Sequence, residues 1–97
     1  MNLQRVMWKY PLMPGTATYD MPYGAEIKSC GYVAGDVVVW ALVAPPVDVT
    51  AKGAMDERRL TCAMTGEMLD LDALKLGRFI GTVVRPDGIV VHIYENF

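Results

Sequence analysis

The run Gly35–Val43 (GDVVVWALV) constrains the fold more than any other stretch of the chain. In an extended backbone Val37, Val39, Ala41 and Val43 point one way and Val38, Trp40 and Leu42 the other, because side chains alternate across a strand. Neither set carries a charge. Three consecutive β-branched valines favour strand over helix. Gly35-Asp36 and Pro45-Pro46 stop the run at its two ends, which leaves it short for a helix. It predicts a central strand covered on both faces.

The remaining chain reads as further strands divided by turn residues. Leu3–Tyr10 alternates, with Gln4, Val6, Trp8 and Tyr10 on the inward face and Leu3, Arg5, Met7 and Lys9 opposite. Pro11 and Pro14-Gly15 end it. Thr16–Met21 and Ala25–Tyr32 follow, divided by Pro22-Tyr23-Gly24. Gly31 is placed for a bulge or a close backbone approach, and Ala34-Gly35-Asp36 folds the third strand back onto the central one. Residues 44–56 (APPVDVTAKGAMD) have no clean period and form the longest predicted loop, a feature that goes with function or mobility. Glu57–Thr65 alternates again, with Arg58, Leu60, Cys62 and Met64 sharing a face. Asp70–Leu76 is the one short helix, with Asp70 as N-cap and Gly77 just past its end. Arg78–Val84 and Ile89–Glu95 pair through Arg85-Pro86-Asp87-Gly88, and Gly81 leaves room for a large neighbouring side chain. The sum is one all-β domain over residues 1–97, mainly antiparallel, with one short helix and about seven strands in a sandwich or rolled barrel.

Composition limits what such a domain does. Apolar residues make up 53% of the chain, more than a small sphere hides, so part of the excess is expected in a homo-oligomer interface. The net charge of −2 lacks the basic excess of a non-specific nucleic-acid binder. Arg5 and Lys9 interrupt the first apolar residues, and no run approaches the ~20 apolar residues of a membrane helix. The expectation is a soluble, cytoplasmic protein with no membrane partner. Cys30 and Cys62 both lie in apolar strand-like runs; two buried free thiols are expected, and a disulfide would need their strands to be neighbours.

Chemistry-bearing residues are sparse. His92 alternates with Val91 and Ile93 and reads as a sheet histidine; as a general base it would need an orienting carboxylate. One histidine and two distant cysteines match no common metal spacing, so no metal is expected. Glu67, Asp70 and Asp72 form a short acidic cluster with the chemistry to hold a cation, but Asp at a helix start is the signature of a cap. The glycines show no phosphate loop or dinucleotide fingerprint, and no cofactor is expected. Arg58-Arg59 opens a strand directly after the long loop; the pair reads either as solvated edge charges that discourage edge pairing or as an arginine fork that holds phosphate or carboxylate bidentately. Adjacent strand residues face opposite ways, so only one of the two can meet a given ligand. Trp8 and Tyr10 are the aromatic candidates to stack beside it.

Several motifs carry a resemblance: Trp8-Lys9-Tyr10-Pro11-Leu12, Met21-Pro22-Tyr23-Gly24-Ala25, Trp40-Ala41-Leu42-Val43, Phe79-Ile80-Gly81-Thr82-Val83 and His92-Ile93-Tyr94-Glu95. With them the chain resembles a small domain family of bacteriophage and prophage genomes, from about Met7 to Glu95. The family often has Asp-Pro after WALV, where this chain has Ala44-Pro45-Pro46. No functional residue transfers. The resemblance implies a compact, non-enzymatic accessory product of an infected or lysogenic cell. Together with the residues, it gives a first expectation: an oligomeric binding protein that sequesters a small anionic ligand, a nucleotide immune signal among the candidates, or a host protein. Arg58, Arg59, Trp8 and Tyr10 are its candidate site. A structural virion or assembly component is the alternative, and a small enzyme comes third.

Overall fold

The computed structural model describes residues 4–46 and 53–97. Among them the chain forms β1 (Val6–Pro11), β2 (Gly15–Pro22), β3 (Glu26–Val33), β4 (Asp36–Val43), β5 (Met55–Met64), a single helical turn α1 (Leu71–Leu74), β6 (Leu76–Val84) and β7 (Val90–Asn96). Every pairing is antiparallel. One sheet has the order β1-β4-β3 and the other β2-β5-β7-β6. The architecture is a sandwich, and its two sheets do not close into a barrel.

The core lies where the inward-facing residues of the two sheets meet. Val39, Ala41 and Val43 of β4 are fully buried, as are Met21 of β2, Leu60 of β5 and Ile93 of β7. Each of the larger aliphatic side chains among them is worth roughly 1.5–3 kcal/mol on burial. The second face of β4 departs from the expectation of cover on both sides. Val38 is fully buried, but Trp40 and Leu42 on the same face are only partly buried. Trp40 instead lies on Gly31 across the strand pair, where an added Cβ would come within 2.9 Å of the indole. Gly31 thus serves a close approach, and the bulge of β3 falls between Ile27 and Ser29.

Turn chemistry sets the hairpins. Val33 pairs with Asp36 across a two-residue turn in which Ala34 (φ 51°) and Gly35 (φ 92°) are both left-handed, the type I′ geometry that matches strand twist. Between β6 and β7 the Gly88 N–H donates to the Arg85 carbonyl (3.0 Å), and the Asp87 carboxylate accepts from the Ile89 N–H (3.1 Å). The helix is shorter than predicted. Asp70 caps it by accepting from the Ala73 N–H (3.1 Å), but the left-handed residue at its end is Lys75 (φ 51°), and Gly77 already belongs to β6. Gly77 is needed there for contact: a Cβ would sit 2.9 Å from the Glu95 carbonyl oxygen. The predicted 44–56 loop ends at Met55, where β5 begins, and its residues 47–52 lie outside the described residues. No helix among the described residues is long and apolar enough to cross a membrane.

Candidate functional site

The four candidate site residues do not gather at one place. Trp8 and Tyr10 pack inward from β1 against the core. The Tyr10 hydroxyl is buried without a hydrogen-bond partner among the described residues, and burial pushes its pKa up. Arg59 is exposed on the outward face of β5, cross-strand from Thr18. Arg58, on the opposite face, forks onto Glu95 of β7: its Nε and Nη2 donate to the two carboxylate oxygens, the second bond at 3.0 Å. Its Nη1 donates across the sandwich to the Ala25 carbonyl (2.7 Å). The hydrogen bonds it donates to Glu95 raise the pKa of the guanidinium above its usual value. Arg58 is an inter-sheet stitch, each of its three nitrogens already engaged.

A different place has the form of a site. At one end of the sandwich a cleft of about 380 Å³ opens between the sheets, within the range of small-molecule pockets. Leu12, Val37, Cys62 and Val91 give it an apolar lining, and Asp36, Glu67 and Arg85 bring charge to it. Local bonds fix its rim. The Leu12 N–H donates to the Val37 carbonyl (2.8 Å), and the Met13 N–H to the Tyr19 hydroxyl (2.8 Å), so the β1–β2 corner is tied to both sheets. Glu67 accepts from the Met64 N–H (3.1 Å), and Arg85 pairs with Asp87 (2.8 Å). The sequence analysis missed this cleft, because five separate segments supply its wall.

His92 lies on the outward face, with Nε2 at 2.7 Å from the Thr65 hydroxyl and Nδ1 at 3.0 Å from that of Thr82. Threonines, not a carboxylate, orient the ring. Among the described residues no group of three or more His, Cys, Asp or Glu is placed to hold a metal. Both cysteines are free thiols. Burial, reinforced by Cys30, pushes the Cys62 thiol up to about 11. Its thiolate fraction at pH 8 is then about a hundredfold below that of an ordinary cysteine. Labelling of Cys62 by a thiol reagent at that pH is expected to slow by at least this factor in the folded protein and to recover in urea. Rapid labelling of the folded chain would contradict its placement in the wall.

A β sandwich of two antiparallel sheets with a cleft at one end is the class that the fold and site define. The chain belongs to the family described as Domain of unknown function (DUF7352), which it matches over residues 3–97. No curated protein and no solved structure matches it.

Proposed function

We propose that the protein is a non-catalytic, phage-type accessory protein that captures a small amphipathic ligand bearing one acidic group in the end cleft. The observation that carries this reading is the lining: an apolar wall with a single guanidinium, that of Arg85, at its edge. A ligand carboxylate or phosphate would replace Asp87 on Arg85, a charge-assisted bond of the stronger kind, while its apolar body covers Leu12, Val37 and Val91. The class is narrower than the anions expected from the sequence. Asp36 and Glu67 share the cleft with Arg85, so a second or third negative charge, as on a nucleotide signal, meets repulsion. The phage setting rests on the strand motifs from Trp8 to Glu95.

The test is a thermal-shift panel of hydrophobic monocarboxylates and simple phosphodiesters, singly charged at neutral pH, set against cyclic dinucleotides and ADP-ribose. A ligand at about a hundred times its Kd adds roughly 2.7 kcal/mol, a rise of several degrees for a domain of this size. Arg85→Gln removes only an exposed pair, worth about 1 kcal/mol or less. It is expected to abolish the ligand shift and leave the free protein's Tm nearly unchanged. A flat panel, or a shift that survives in R85Q, overturns the proposal.

A further inference from the structure

The four sheet edges are not equivalent. Two of them close on each other. β3 and β6 pack together at one side of the sandwich, Cys30 of β3 lies against Gly81 of β6, and Arg78 of β6 donates to the Ile27 carbonyl (2.5 Å) while Arg58 donates to that of Ala25 (2.7 Å). The other two, β1 and β2, end their sheets with no strand beyond them among the described residues. Free edges of this kind are templates for further pairing.

Charge distinguishes the two open edges. Arg5, just before β1, and Lys9 within it are both exposed, and by alternation they share its outward face. On β2, Asp20 stands directly opposite Glu57 of β5, both exposed; exposed Arg59 shares that outward face, opposite Thr18, which leaves the acid in excess. Like charges in directly opposed positions destabilise a sheet, and no ion pair among the described residues includes either carboxylate.

We infer that copies of this chain assemble head to tail, the β1 edge of one adding to the β2 edge of the next. β1 against β1 would oppose Arg5 and Lys9 to their own kind, and β2 against β2 would oppose Asp20 and Glu57 to theirs. Only the mixed pairing sets base against acid, so repulsion selects the partner edge as much as attraction does. In the antiparallel arrangement that places Arg5 opposite Asp20, Met7 falls on Thr18, and the outward faces run on from one copy to the next. The contact is heterologous, so it generates a ring or an open filament instead of a two-fold dimer.

The experiment is light scattering after size exclusion, at low and high salt, on the wild type and two variants, R5E/K9E and D20K/E57K. Thermal melts confirm that both variants fold. The wild type is expected to exceed monomer mass at low salt and to lose mass at high salt. Each variant alone, with both open edges now of one sign, is expected to be monomeric. An equimolar mixture restores assembly, because each variant offers what the other lacks. A monomeric wild type at low salt, a D20K/E57K variant that stays assembled, or a mixture that stays monomeric overturns the inference. None of the four residues lines the cleft, so this outcome and that of the ligand panel are independent.

Discussion

Glu95→Ala is expected to cost the protein about 3 kcal/mol in urea unfolding at neutral pH. The side chains of Arg58 and Glu95 are only 16% and 18% exposed, so truncating the carboxylate leaves a guanidinium in a largely closed place with two of its three hydrogen bonds gone. Breaking a buried pair costs roughly 3–5 kcal/mol, and an exposed one ~1 kcal/mol or less. The residual exposure puts this pair near the lower end of the buried range. A domain of this length has about 5–15 kcal/mol in total, so the loss is a large share of it. The bond from Arg58 to the Ala25 carbonyl joins the sheets, and the loss should fall on their docking. R58M/E95L, which removes both charges and keeps the bulk, is expected to return most of the stability, since a matched apolar pair avoids the desolvation cost. A loss below about 1 kcal/mol in E95A would mean that the pair behaves as a surface one.

Much of the fold was legible in local pattern. The apolar run marked β4, Ala34-Gly35 and Pro86-Asp87-Gly88 marked their hairpins, and Asp70 marked a helix start; each signal acts within a few residues. Alternation also sorted Trp8 and Tyr10 inward and Lys9 outward. What the period could not give was the layer across from a face. Trp40 and Leu42 read as fully buried because they are apolar, yet both are only partly covered. Arg58 read as a ligand residue because an arginine beside a loop has that chemistry. Its partner Glu95 lies far along the chain, and only the β5–β7 pairing brings the two together. The cleft was hidden for the same reason: Leu12, Val37, Glu67, Arg85 and Val91 share no local pattern. The bulge in β6 between Phe79 and Gly81 also shifts the alternation, so Ile80 packs against the core just before Gly81 faces Cys30.

That last contact gives the second large effect. A Cβ built on Gly81 would lie 2.6 Å from the Cys30 sulfur, so Gly81→Ala forces a packed inter-sheet contact to move. The room that the glycine keeps is for a thiol rather than the large side chain expected from the sequence. Overpacking of this kind costs about 1–3 kcal/mol. Cys30 is only partly buried, so its thiol has some freedom to turn away, which places the expected loss near the middle, about 2 kcal/mol. Cys30→Ala removes the sulfur and should cost about 1 kcal/mol by itself through lost packing. In G81A/C30A the new methyl enters the space the sulfur leaves. The double variant is therefore expected to be no less stable than G81A alone, a coupling of about 1 kcal/mol or more, against the ~0.3–0.5 kcal/mol scatter of independent sites. Simple additivity in the urea midpoints would show that β3 and β6 do not meet at this glycine. The side of the sandwich opposite the open β1 and β2 edges would then not be closed as described.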